Sequence, residues 1–92
     1  MMTVGDVLKH KIKVTSTKKL TVFKECCHTI LKYRDQKALN YAVGYAQYGL
    51  SISDVEEAQV QSLYILNNIT HWRGEEAKAV RQALKEFSKE VN

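Results

Sequence analysis

Apolar residues recur in helical steps along most of this chain. Leu20, Phe23, Cys27, Ile30 and Leu31 stand three or four residues apart or adjoin, which places them on one side of a helix. The spacing predicts a helix from about Thr17 to Arg34, capped by Ser16 or Thr17. Leu39, Ala42, Val43 and Ala46 form the stripe of a second helix, from about Asp35 to Tyr48. Gly49 followed by Leu50 then reads as a Schellman stop, with Leu50 folding back onto the helix. Ser53-Asp54-Val55-Glu56 has the form of a capping box and opens a third helix, with acids at its positive end. Val55, Val60, Leu63, Ile65, Leu66 and Ile69 lie on nearly all sides of it from Val60 onward, as in a central buried helix, and Gly74 is expected to end it. Glu75 and Glu76 open a fourth helix. Its Ala77, Val80, Leu84, Phe87 and Val91 repeat at spacings of 3, 4, 3 and 4, the seam of a helical bundle.

The residues before Thr17 admit two readings. Thr3-Val4-Gly5-Asp6 resembles a capping box with Asp in place of Glu, and Val7, Leu8 and Ile12 continue a partial apolar face for a helix from Val4 to about Lys13. Ile12-Lys13-Val14 and Leu20-Thr21-Val22 also alternate as strands do, so a hairpin around Ser16-Thr17 competes, although no Gly or Asn supplies the favoured turn. The expectation is a single all-α domain over residues 1–92, a compact bundle of four to five helices, with its first 16 or so residues divided between short helix and hairpin.

Composition strengthens this picture. Proline is absent and there are four glycines, so helix interiors are free of their strongest breaker. The 45% hydrophobic and 26% charged content is that of a folded chain rather than a disordered one. At 92 residues the core is small, and self-association into a homo-oligomer is one common way to enlarge it. No apolar run approaches the ~18–20 residues of a membrane helix, so no membrane partner is expected. Met1 to Val14 lacks the apolar core of a signal peptide, and the adjacent Cys26 and Cys27 cannot build a disulfide framework. A reducing cytoplasm is the simplest compartment, and Asn68-Ile69-Thr70 is then a chance sequon.

Charge divides the chain. Residues 1–40 hold nine Lys/Arg against three acids, net +6, and residues 41–92 hold five against seven, net −2. The basic half suits a polyanion or the acidic half of a neighbouring copy. Lys9, Lys11, Lys13, Lys18 and Lys19 are the candidate phosphate contacts, with Lys24, Lys32 and Lys37 beyond them. Only Phe23 and Tyr33 are interleaved as aromatics, few for a single-strand stacking platform. A solvated lysine face is the plainer reading.

Other candidate chemistry is sparse. Cys26-Cys27-His28 offers zinc-ligand types, but helical neighbours point about 100° apart and do not converge on one ion. His10 and His71 would have to join from distant segments, so no metal and no cofactor is expected, and Cys27 reads as core. Gly49 to Val55 resembles the turn and second helix of a helix-turn-helix. Tyr45 stands where a small residue is usual, and Asp54, Glu56 and Glu57 would face phosphates and repel them. No nucleophile has an orienting partner and there is no phosphate-binding glycine loop, so no enzymatic activity is expected.

The remaining feature is aromatic. Tyr41, Tyr45 and Tyr48 share a helix face at i, i+4 and i+7, next to the apolar stripe. Trp72 and Arg73 lie toward the end of the following helix, with Tyr64, Asn67, Asn68 and His71 near them. Tyr, Trp and Arg are the residue types enriched at interface hot spots, which makes Tyr41, Tyr45, Tyr48, Trp72 and Arg73 the candidate binding set. The alternative is a row of half-buried tyrosines at the core edge with wet hydroxyls.

The stretch from Leu63 to Gly74, running on through Ala77 and Val80 to Leu84, together with Asn40-Tyr41-Ala42-Val43, resembles small uncharacterised helical proteins encoded by bacteriophages. The likeness covers about half the chain and excludes its basic N-terminal part. It implies an origin and carries no site residues with it. Small phage proteins commonly bind and disable a host factor or sequester a host signal. The leading expectation is therefore a non-enzymatic protein that binds or inhibits a host protein. The alternatives are nucleic-acid binding by the N-terminal lysines, and capture of a nucleotide-like anion by Arg73 or Arg81 at a helix or subunit interface.

Overall fold

The computed structural model describes residues 20–89. The Val4–Lys13 helix, His10, Val91 and the lysines Lys9, Lys11, Lys13, Lys18 and Lys19 all lie outside the described residues; of the hairpin competitor, Leu20, Thr21 and Val22 are described, and they are helical rather than the second strand. Within them the chain forms four helices and no strand. Helix α1 covers residues 20–32. A single 3-10 turn, Lys37–Leu39, precedes α2 (Ala42–Gly49), and α3 (Val55–Asn67) and α4 (Glu75–Lys89) follow.

Named contacts fix the arrangement. The C-terminal Gly49 of α2 packs on Phe23 and Cys27 in the first half of α1. Gln61 Nε2 donates to the Tyr45 carbonyl and the Tyr48 hydroxyl donates to Glu57, so α2 and α3 run antiparallel side by side. Gln59 Nε2 donates to the Phe87 carbonyl, and Arg81 reaches back to the carbonyls of Ile69 and Trp72, which makes α3 and α4 antiparallel too. Phe23 stacks on Phe87 with ring centroids 5.4 Å apart, while Tyr33 at the far end of α1 donates to Glu76 at the start of α4. The product is an all-α, up-and-down four-helix bundle. Its core is Phe23, Cys26, Cys27 and Ile30 from α1, Leu39, Ala42 and Ala46, then Ala58 and Ile65 from α3, Ala77, Val80, Leu84 and Phe87 from α4, and Ile52, Ile69 and Trp72 from the connections.

The α4 seam is seen as its spacing predicts, with Ala77, Val80, Leu84 and Phe87 all buried. The expected helix over 35–48 is divided. Gln36 is extended (φ −78°, ψ 130°), and residues 33–41 carry the chain from α1 back to the antiparallel α2, leaving only Ala42–Gly49 for α-helix. The Schellman stop is absent. Leu50 caps α2 in ordinary right-handed conformation, and Gly49 has no positive φ.

Gly49 serves the close approach of α1 and α2 instead. A Cβ there would stand 2.7 Å from Cys27 Sγ and 3.0 Å from Phe23 Cζ, and neither of those side chains has exposed surface into which to move. Gly49→Ala is expected to lower stability by about 1–3 kcal/mol, the cost of overpacking a filled core. Gly44, on the same helix, has nothing within 4 Å of a built Cβ, so Gly44→Ala is expected to stabilise by up to about 1 kcal/mol through helix propensity. Urea midpoints of the two variants measure the contrast; equal shifts of one sign would remove the argument.

The boundaries of α3 also differ from expectation. Its cap is Asp54, whose carboxylate accepts from the Glu57 amide at 3.0 Å, one residue later than the Ser53 box. Ile52 is buried just before it, and this anchor sets where the chain turns into α3. The helix stops at Asn67 rather than at Gly74. Asn68 Nδ2 takes the Tyr64 carbonyl at 2.7 Å, which satisfies part of the helix end. Ile69 and Trp72 then dive into the core, and the Arg81 guanidinium holds their two carbonyls. Gly74, at φ 111°, opens α4, its carbonyl accepting from the Lys78 amide.

Candidate functional site

Helix α3 places its side chains against the grain of its sequence. Apolar residues all round it predict a fully buried helix, yet Val60, Leu63 and Tyr64 are each about half exposed, at 50%, 51% and 50%. The buried positions include two polar residues, Gln61 and Ser62. Both are satisfied. Gln61 Nε2 donates to the Tyr45 carbonyl at 3.0 Å, and Ser62 Oγ donates to the Ala58 carbonyl at 2.9 Å. Among the described residues no buried side-chain polar atom lacks a partner. The reason is where its neighbours lie. Gln61 meets α2 on one flank of α3 and Gln59 meets α4 on the other, so the face between them that carries Val60 and Leu63 has no helix over it.

The tyrosine row borders this uncovered strip. Tyr41 is 81% exposed, and Tyr45 and Tyr48 are also exposed. With Gly44, Gln61 and Tyr64 they line a groove of about 380 Å³ between α2 and α3. Tyr45 and Tyr64 stack across it, ring centroids 5.9 Å apart and planes 23° from parallel. The Tyr48 hydroxyl donates to the Glu57 carboxylate, and this hydrogen bond, more than the negative charge itself, raises the phenol above its ordinary pKa. The spacing of Tyr41, Tyr45 and Tyr48 was legible in the sequence. Tyr64, which the sequence set near Trp72 and Arg73, belongs to this groove instead, and Leu63 and Val60, expected in the core, lie on the surface.

Trp72 requires the opposite correction. It is 2% exposed and packs in the core, with the Tyr33 ring 6.0 Å away. As a core residue it offers no contact surface of the kind proposed for the binding set. Arg73 is exposed and lines a separate depression of about 300 Å³ with Tyr33, Gln36, Trp72, Gly74, Glu75 and Glu76. Tyr41, Tyr45 and Tyr48 are therefore brought together, while Trp72 and Arg73 stand apart from their groove.

This arrangement bears on the anion reading. A groove does lie between α2 and α3, but neither arginine lines it. Arg81 is engaged by the Ile69 and Trp72 carbonyls, and Arg73 shares its depression with Glu75 and Glu76. From residue 38 to residue 72 the chain contains Asp54, Glu56 and Glu57 and no Lys or Arg. The α2–α3 pair is thus acidic within a chain of net charge +4. It also lacks the positive first turn that reading DNA requires, because Asp54, Glu56 and Glu57 occupy that turn of α3.

Cys26 and Cys27 are both buried and unpaired, so Cys26 joins Cys27 in the core. Burial, and then the Glu25 charge, pushes the Cys26 thiol up to about 11. Burial first, and next its neighbour Cys26, pushes Cys27 up to about 12. Such thiols are poor nucleophiles and poor metal ligands at neutral pH. His28 is exposed beside them. Among the described residues no three His, Cys, Asp or Glu side chains converge on a possible metal position, and no helix is long and apolar enough to cross a membrane.

No family model, no curated protein and no solved structure matches this chain.

Proposed function

We propose that this chain is a non-enzymatic protein-binding domain whose docking face is the tyrosine groove of α2 and α3. The observation that carries the reading is the inversion on α3, where Val60, Leu63 and Tyr64 face solvent while Gln61 and Ser62 face inward. Exposed apolar surface of this extent is costly in a monomer and marks interaction surfaces. The four tyrosines expose together more than the area of two whole tyrosine side chains, and Val60 and Leu63 add about one aliphatic side chain more. At about 200 Å² per aromatic side chain this gives on the order of 500–600 Å², a large part of the roughly 800 Å² that each partner contributes to a standard interface.

The sequence resemblance to phage-encoded helical proteins makes a host protein the partner proposed. Two unpaired buried thiols fit a reducing cytoplasm as the site of action. The test uses the tagged full chain and its Leu63→Glu/Tyr64→Glu variant to capture proteins from host lysate, with thermal melts of both. Loss of at least tenfold of a captured protein, at a melting temperature within a few degrees of the parent, is the expected result. A variant that folds and captures the same proteins to the same extent removes the reading. If sedimentation instead shows a parent dimer that the variant dissociates, the face belongs to a second copy and the host-factor role falls.

A further inference from the structure

We infer that the tyrosine groove is a cation-accepting site, which takes an arginine or lysine side chain from the protein that docks there. This deepens the docking role proposed above and rests on it. The walls are four aromatic rings, Tyr41, Tyr45, Tyr48 and Tyr64, and the remaining lining is Gly44 and Gln61. Among the described residues no cation lines the groove. Lys32 Nζ lies 5.6 Å from a tyrosine ring centroid, but that ring is Tyr33, outside the groove. Tyr45 and Tyr64 each spend one face on their mutual stack, so the ring surface left to an incoming charge, among the described residues, is that of Tyr41 and Tyr48 and the outer sides of this pair.

The surrounding charge selects the sign. Glu57 stands at the rim, held by the Tyr48 hydroxyl, and Asp54 and Glu56 adjoin it at the start of α3. Residues 38–72 hold no Lys or Arg to offset them, although the whole chain is net positive. A phenol that donates its proton toward a carboxylate carries more electron density on its ring, which favours a cation over the face. Gly44 adds room: nothing lies within 4 Å of where its Cβ would be, so a long side chain can lie along α2 between the rings. An arginine fits this combination best, because its planar guanidinium stacks on aromatic faces while its edge donates to a carboxylate. An acidic or phosphate-bearing partner would meet repulsion from the same three carboxylates.

The test compares two uncharged-backbone probes of nearly the same shape, N-acetyl-arginine amide and N-acetyl-citrulline amide, in which a planar cation is exchanged for a planar neutral urea. Each is titrated into the full chain carrying labelled tyrosine, and ring resonances are followed by NMR. The chain has five tyrosines, and Tyr33, away from the groove, serves as the internal control. Arginine amide is expected to shift the signals of Tyr41, Tyr45, Tyr48 and Tyr64 saturably, and citrulline amide to bind at least about fivefold more weakly. Glu57→Gln keeps an acceptor for the Tyr48 hydroxyl and is expected to weaken arginine binding severalfold without weakening citrulline binding. Equal affinity for both probes, or shifts confined to Tyr33, would overturn the inference. So would arginine binding that emerges only after Lys9, Lys11 and Lys13 are changed to Gln, since the chain's own lysines would then be the occupants. Failure here with continued loss of capture by Leu63→Glu/Tyr64→Glu leaves the docking role standing, with an apolar rather than cationic anchor. Arginine binding with unchanged capture has the reverse meaning.

Discussion

Trp72→Ala is expected to remove about 3–5 kcal/mol of folding stability, the range for truncating a large aromatic in a packed core. A domain of this size holds roughly 5–14 kcal/mol in all, so the variant should melt some 15–30 °C below the parent and be partly unfolded at physiological temperature. The size of the effect follows from what the indole joins. It is 2% exposed, the Tyr33 ring packs beside it, and its own carbonyl is gripped by Arg81 Nη1 at 2.6 Å. The indole packs the α3–α4 connection against Tyr33 just past the end of α1, while the backbone carbonyl, which the alanine variant keeps, ties the same loop to α4. Tyr41→Ala, by contrast, truncates a side chain that is 81% exposed and should change stability by no more than about 0.5 kcal/mol. Urea unfolding of both variants, followed by far-UV circular dichroism because one of them lacks the single tryptophan, decides the matter. Similar losses in the two would mean that Trp72 is not the anchor described.

The second large effect is a loss of stability in base. Both cysteine thiols titrate higher in the folded chain than their ordinary value of 9.0, Cys26 at about 11 and Cys27 at about 12, chiefly through burial. Below about pH 9 both are protonated in folded and unfolded chains alike, and their contribution to stability is complete. As the pH rises through 9 toward 11 and 12, the unfolded chain releases protons that the folded chain retains, so stability falls. At about 1.4 kcal/mol per pH unit, the two adjacent thiols together should cost on the order of 3–5 kcal/mol by pH 11. Tyr33 and Tyr48, raised by their hydrogen bonds to Glu76 and Glu57, act in the same direction above pH 10. Base-induced unfolding is therefore expected between pH 10 and 12, read as a drop in melting temperature. The Cys26→Ala/Cys27→Ala variant should start less stable at pH 7 and lose less from pH 9 to 11. If parent and variant decline in parallel over that range, the thiols are not responsible.

These expectations bear on how the site is to be probed. Trp72 and Tyr45 belong to one candidate set in the sequence, yet a change at Trp72 tests folding and a change at Tyr45 or Tyr64 tests the surface. The two cysteines are buried and held as thiols at neutral pH, so they should react with thiol reagents far more slowly in the folded chain than in denaturant.

Helix α4 was legible because its apolar residues form one narrow stripe, and a stripe can face only one way. The same holds for Phe23, Cys27 and Ile30 on α1. The N-cap of α3 was legible to within a residue, since a carboxylate and an amide three residues apart interact locally whatever else the chain does, whereas the ends of α2 and α3 were not. The direction that α3 faces was not legible. Apolar residues surround that helix, so its own pattern permits several inward faces, and the choice fell to its neighbours. Small residues on α2 allow close packing, α2 and α4 take the two flanks of α3 and leave the face with Val60 and Leu63 uncovered, and the Tyr45 carbonyl gives Gln61 an inward partner. Trp72 was placed inside by a similar non-local event, the capture of its loop by Arg81, nine residues away in sequence. The role of Gly49 likewise exists only once α1 lies against it. The sequence by itself determined that the chain is helical and roughly where each helix lies, and that the tyrosines share one side of α2; tertiary contacts broke the stretch over 35–41 and stopped α3 at Asn67. Tertiary packing decided which apolar residues remain in water, because burial depends on the partners available and not on the residue alone. That decision is what made a surface of the tyrosine groove and a pillar of Trp72.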